Sequence, residues 1–184
     1  MISICFILFL LISILTSSYG QVTCASGWVS NGETCYLFNP AFNSGSTTGT
    51  WDQCNAYCAA SLGCQSAKLR GSSICEVGAT MLCVNNAAEN DWMWSQYERQ
   101  DGWIGYTDMP PYGGGKGTKQ YGWVTGCSST YTNWSAGEPN NLNNNEDYAH
   151  MWGHINSWND ESPQKTMRCG CQYKLSTPEG DVSE

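Results

Sequence analysis

The sequence predicts an α+β domain, two helices with small antiparallel sheets and long loops, stapled by disulfides. Three observations point there. Apolar residues recur at spacings of three and four over 51–62, and Asn86 with Glu89 starts a second helical stretch over 87–98. From 121 to 173 no helical period appears, only short aromatic-rich segments between polar loops. Eleven cysteines are many for 184 residues.

The elements follow in chain order. Residues 2–15, ISICFILFLLISIL, are apolar and uncharged. TSSYG follows, with Ser18 and Gly20 at the two positions a signal peptidase inspects. Residues 1–20 are therefore expected to be a cleaved secretory signal, with Gln21 as the mature N-terminus. The run is shorter than the roughly 20 residues a membrane span requires, so no span is expected in the mature form. Cleavage removes Cys5 and leaves ten cysteines, an even number that suits an oxidising, extracellular compartment. No CxxC pair exists to favour thiolate zinc binding. The domain is expected over 21–174, with a flexible tail at 175–184 whose large apolar residues are Leu175 and Val182.

Residues 24–38 (CASGWVSNGETCYLF) read as a hairpin turning at Asn31-Gly32. A Gly/Ser/Thr loop covers 43–50. The helix predicted over 51–62 places Trp51, Cys54, Cys58 and Leu62 on one face, and Thr50 with Gln53 fits a capping box. Residues 63–78 read as a polar insert that a Cys64–Cys75 bridge would close. MLCV (81–84) reads as a short buried strand. Asn86 and Glu89 mark the start of a helix over 87–98. WIGYTD (103–108) is a strand, and the Gly-rich PPYGGGKG follows it. YGWVTG, YTNW, AHMW and RCGCQY are strand candidates, and NNLNNN (140–145) is loop.

Sixteen acidic residues against eight basic give a net charge of −8. That excludes a nucleic-acid partner, which needs Lys and Arg to displace counterions from phosphate. Nine Trp and ten Tyr exclude an acidic disordered chain. No GxSxG or other nucleophile context occurs, and no enzyme activity is expected. Glu138 and Glu146 could pose as a glycosidase acid pair, but not if both ligate a cation.

The chemistry concentrates in one stretch. Glu138, Asn140, Glu146, Asn159 and Asp160 are carboxylates and amides, the donor set for a hard cation, and outside the cell the abundant one is Ca²⁺. A cis bond before Pro139 would turn the Glu138 and Asn140 side chains to the same side. The competing reading is an ordinary turn with solvated acids.

The order CxxGW…GxxCYxF, TWDQCNAYC, NNAAENDWMW, WIG, YTNW, EPNN, ED, WND and CQY resembles the C-type lectin domain family, in its long form, over about 150 of 184 residues. The resemblance implies the C-type lectin-like fold with long calcium-binding loops. It implies that Glu138, Asn140, Glu146, Asn159 and Asp160 hold a principal Ca²⁺. Glu138, Asn140, Glu146 and Asn159 would also hydrogen-bond two vicinal sugar hydroxyls that complete its shell. The Glu-Pro-Asn order implies mannose, N-acetylglucosamine, glucose or fucose rather than galactose, because exchanging acid and amide exchanges acceptor and donor. Asp108 and Asp147 match ligands of an auxiliary calcium site, Asn141 sits where some members carry an acid, and the upstream acid that completes the site has no match in PPYGGGKG. A secreted structural or protein-binding relative without sugar recognition is the alternative. An oligomer, or display by a partner, would supply valency.

The resemblance further implies the bridges Cys24–Cys35 and Cys58–Cys171. The family's loop bridge is absent, with Tyr148 and the Ser162-Pro163 region at its two positions. Cys54 lies one helical turn from Cys58, and Cys169 shares a strand face with Cys171, which suggests a second rung, Cys54–Cys169. Cys64–Cys75 and Cys83–Cys127 then remain. Asn133-Trp134-Ser135 is the one glycosylation sequon, against which stands the expectation that Trp134 is core. His150 and His154 are four apart, a zinc spacing only on a helix. Trp158 is expected to pack beneath Asn159-Asp160.

Overall fold

The computed structural model describes residues 23–42, 45–69, 72–124 and 126–175, with 62–77 described by backbone alone. The expected signal at 1–20 and all of the expected tail but Leu175 lie outside the described residues. Among the described residues no helix is long and apolar enough to cross a membrane.

A four-stranded sheet ties the two ends of the domain together. Its order is β1 (Val29–Asn31), β2 (Thr34–Phe38), β12 (Gly170–Lys174), β6 (Thr80–Met81), all antiparallel. The turn between the paired Asn31 and Thr34 is Gly32-Glu33, one residue on from the expected Asn31-Gly32, and Gly32 takes its positive φ of 63° at the first turn position. The second sheet has the order β10 (Ser157–Glu161), β9 (Tyr148–Trp152), β7 (Gly102–Thr107), β11 (Met167–Arg168), β3 (Thr48–Gly49), and β8 (Gly122–Trp123) pairs with β7.

Helix α1 (Trp51–Ala60) begins at the expected capping box. Thr50 Oγ1 accepts from Gln53 N at 3.3 Å, and Thr50 N donates to Gln53 Oε1 at 2.9 Å. Its buried residues are Trp51, Cys54 and Cys58. Helix α2 (Ala87–Gln96) starts with the Asn86 side chain accepting from Glu89 N at 2.9 Å, and it buries Asn90 and Met93.

Disulfides join Cys24 to Cys35, Cys54 to Cys169, Cys58 to Cys171 and Cys83 to Cys127, with Cα–Cα distances of 5.6, 5.4, 5.3 and 6.4 Å. The middle two are parallel rungs from one face of α1 to the start of β12. The expected insert at 63–78 is instead a hairpin of β4 (Leu62–Leu69) with β5 (Ser72–Gly78). Each strand satisfies the other's backbone groups, and polar composition conceals this in the sequence. Cys64 and Cys75 are register partners there, while their side chains lie outside the described set.

The core is aromatic, and its polar edges are satisfied. Trp51 Nε1 donates to Ile104 O at 3.1 Å, Trp103 Nε1 to Gly49 O at 3.0 Å and Trp158 Nε1 to Asn90 Oδ1 at 2.8 Å. The expected strand at 81–84 shortens to Thr80–Met81. Leu82, Cys83 and Val84 are buried without pairing as a strand, because a short apolar run reports burial and not conformation.

Candidate functional site

Between β7 and β9 the chain makes one long excursion, interrupted by β8 and a single 3-10 turn at Leu142–Asn144. The backbone around Trp158 aims this excursion at β10. Trp158 N donates to Asn133 O at 2.7 Å, and Ser135 N donates to Trp158 O at 2.8 Å, a parallel bridge of Trp134 with Trp158. Glu138 N then donates to Ser135 O at 3.0 Å and turns the chain over Asp160.

The Glu138–Pro139 bond is cis. Glu138 and Asn140 face each other across it: Asn140 N donates to Glu138 Oε2 at 3.0 Å and Asn140 Nδ2 to Glu138 Oε1 at 2.9 Å. Asp160 joins them, its Oδ1 accepting from Asn140 N at 3.0 Å and its Oδ2 from Asn141 N at 2.8 Å. Glu146 closes the group. Its N donates to Asn141 Oδ1 at 3.1 Å, and its Oε2 accepts from Leu142 N at 2.8 Å. Asn141, Asn143 and Asn144 all have φ between 54° and 58°. Asn tolerates that left-handed region best among residues with a side chain, which gives the asparagine-rich run a physical reason.

Electrostatics reflect the crowding of these acids. Burial raises the Glu146 carboxyl to about 7, and Glu161, Asp160 and Glu138 add to the rise. Burial and then Asp160 raise Glu138 as well. Among the described residues no Lys or Arg forms an ion pair with Glu138, Glu146 or Asp160.

Asn159 sits differently. Strand β10 buries Trp158 and Asp160 on one face and turns Asn159 to the other. There Asn159 is the register partner of His150, and its Nδ2 meets His150 Nε2 at 3.2 Å and also reaches the Asp160 carbonyl. His150 is buried, which lowers its pKa, and its Nδ1 lies 3.1 Å from Met151 O. His154 is exposed in the turn after β9, so the two histidines share no helix.

Asp108 and Asp147 form a second, deeper pair. Asp108 N donates to Asp147 O at 3.2 Å, and Thr107 Oγ1 donates to the same carbonyl at 2.7 Å. Asp147 Oδ1 accepts from Gly117 N at 3.0 Å, and Lys116 Nζ lies 3.8 Å from its Oδ2. Asp108 Oδ2 accepts from Lys119 N at 3.2 Å, while its Oδ1 is buried without a partner. A Cβ on Gly117 would lie 2.6 Å from Asn141 Nδ2, so Asn141 packs directly between this pair and the first group.

Two residues without a motif in the sequence belong here. Tyr121 OH lies 3.3 Å from Asp160 Oδ2. Burial, then Asp160, Asp108 and Asp147, push its pKa far up and keep the hydroxyl a donor. Glu161 is the carboxylate that acts most strongly on Glu146. The sequon residue Asn133 is half-buried, and its Nδ2 donates to Asn156 O at 2.8 Å.

Glu138, Asn140, Glu146 and Asp160 fit a hard cation in donor type and, among the described residues, have no Lys or Arg paired with them. Among the described residues no three carboxylate, imidazole or thiol groups form a metal-holding cluster by themselves. Amide oxygens would have to complete the set.

No family model matches the chain. The C-type lectin lectoxin-Enh5 of Pseudoferania polylepis is 30% identical over 158 residues, covering 83% of this chain and 84% of that protein. The chain belongs to the C-type lectin family. A perlucin-like protein of Mytilus galloprovincialis is 30% identical over 146 residues, 76% of this chain and 75% of that one. Among solved structures, the C-type lectin CEL-I from Cucumaria echinata superposes with a TM-score of 0.64 at 25% identity, over 84% of this chain and 99% of that one. The α+β architecture is thus the C-type lectin-like fold. None of these relatives is named as an enzyme.

Proposed function

We propose that this C-type lectin domain is a secreted, Ca²⁺-dependent carbohydrate-binding protein. It recognises terminal sugars with vicinal equatorial hydroxyls, of the mannose type. The observation that supports the reading best is the convergence of Glu138, Asn140, Asp160 and Glu146 from separate segments with, among the described residues, no basic side chain paired with them. Glu138, Asn140, Glu146 and Asp160 would hold the ion, joined by Asn159 once its amide turns from His150. Calcium, when bound, supplies two open coordination positions for a pair of adjacent hydroxyls. The protein's own groups do the rest: carboxylate oxygens accept from each hydroxyl and amide N–H groups donate to it. Asp108, Asn141 and Asp147 would hold an auxiliary ion, and the unpartnered Asp108 Oδ1 favours that assignment.

So few contacts imply weak single-site binding, on the order of millimolar. Clustered display would then raise the effective affinity. The test is retention on mannan-agarose in Ca²⁺ and release by EDTA, with galactose-agarose as comparison. Retention that survives EDTA, or retention on galactose alone, would overturn the proposal.

A further inference from the structure

Cysteine is absent from the whole of 128–168, so past the Cys83–Cys127 bridge no disulfide secures the part of the excursion that carries Glu138 to Glu146 or the strand that carries Asp160. Polar bonds hold it instead, and Asp160 is their hub. Its Oδ1 accepts one hydrogen bond, from Asn140 N, and its Oδ2 accepts two, from Asn141 N and Tyr121 OH. A carboxylate oxygen has about two lone-pair sites, so these donors fill Oδ2, and the Glu138 carboxyl faces the same Asp160 carboxylate. Tyr121 has little freedom to move away. Its ring lies edge-on to Trp134 at 4.9 Å and tilted on Tyr106 at 5.4 Å, and Trp134 is bridged to Trp158 at the start of the same strand.

We infer that Tyr121 is a positioning residue. Its hydroxyl locks the Asp160 rotamer, which holds the 138–146 loop in place and presents Oδ1 alone to a cation. The inference rests on the calcium reading for its last clause and on the bond network for the rest. The fixed carboxylate serves two backbone N–H groups, so freeing it loosens Asn140 and Asn141 together. It also allows Asp160 to turn its second oxygen outward.

Tyr121→Phe tests this, because it keeps the ring packing and deletes the hydroxyl. In EDTA, hydrogen exchange over 138–146 is expected to quicken about tenfold, the loss of one bond to a charged group. Exchange in β7 and β9 is expected to stay unchanged, which separates local loosening from global unfolding. Calcium titration is expected to give a Kd about tenfold weaker than the wild type. Tyr106→Phe, whose ring stacks on Tyr121 without a bond to Asp160, is expected to change neither readout.

Unchanged loop exchange in Tyr121→Phe overturns the inference. So does an equal calcium Kd in variant and wild type, which leaves the calcium reading intact. If the wild type takes up no calcium while the variant loop exchanges faster, the clamp stands and the calcium reading falls. If β7 quickens as much as the loop, the hydroxyl supports the fold and not the site, and the inference is overturned.

Discussion

Calcium is expected to invert the sign of the pH dependence that Glu146 confers. In the ion-free protein its carboxyl titrates at about 7, raised from 4.5, mainly because it is 8% exposed and next to Glu161, Asp160 and Glu138. A carboxyl raised in the folded state contributes stability below its unfolded pKa, and that stability is lost as pH climbs through the folded value. Between pH 5 and pH 8 the loss from Glu146 amounts to about 2–3 kcal/mol, or roughly 5–10 °C in Tm for a domain of this size. Glu138 and Asp108 are shifted the same way, both chiefly by burial. His150 pulls in the opposite direction. Its lowered pKa means that stability falls as pH drops through the ordinary histidine range. Glu146→Gln removes this confusion, because the amide still accepts from Leu142 N and no longer titrates. Thermal unfolding of both proteins in EDTA at pH 5, 6, 7 and 8 should show the wild type losing Tm relative to the variant as pH rises. In saturating Ca²⁺ the order reverses, since protonation then competes with the metal for the same oxygens. Parallel curves for the two proteins in EDTA would refute the burial argument. Failure to reverse in Ca²⁺ would remove Glu146 from the ion's ligands.

Two further outcomes follow from the packing. The rungs Cys54–Cys169 and Cys58–Cys171 span 115 and 113 residues, so either one alone keeps the long loop closed. Replacing one pair with Ala should cost about 2–3 kcal/mol and replacing both about 7, more than the sum of the singles; urea unfolding that gives strict additivity contradicts this. Trp158→Phe removes the indole donor from buried Asn90 Oδ1 as well as core volume, for an expected loss of about 2–4 kcal/mol. A change under about 1 kcal/mol in the same assay would mean that Asn90 finds another partner.

The parts of the fold legible in the sequence are those fixed by local period or local chemistry. The spacing of Trp51, Cys54 and Cys58 identifies α1, and Thr50 with Gln53 marks its start, because a capping box is a contact between residues three apart. The hairpin at 62–78 is hidden because its pairing is satisfied internally and its composition is polar. Adjacency makes Asn159 and Asp160 look like one ligand pair. A strand sends neighbours to opposite faces, so the period-two rule by itself separates them once 157–161 is recognised as extended. Tyr121 is not legible. Its bond to Asp160 joins residues 39 apart in sequence, and only the stacking of Trp134 and Tyr106 brings them together.

The two acidic groups differ in a way that bears on which would take a cation first. Glu138, Glu146 and Asp160 are stabilised by backbone and amide N–H groups, which carry partial charge and cannot cancel three carboxylates. Asp147 has Lys116 at 3.8 Å, a lysine that is 57% exposed and loses little by leaving. A dication at Asp108 and Asp147 must displace that ammonium, while one at Glu138 and Asp160 displaces no charge. The group of Glu138, Glu146 and Asp160 therefore has the larger unmet attraction for a cation. Bringing these acids together works against folding. The aromatic core beneath β10 and the bond network around Asp160 hold them there, in the arrangement a calcium ion would relieve.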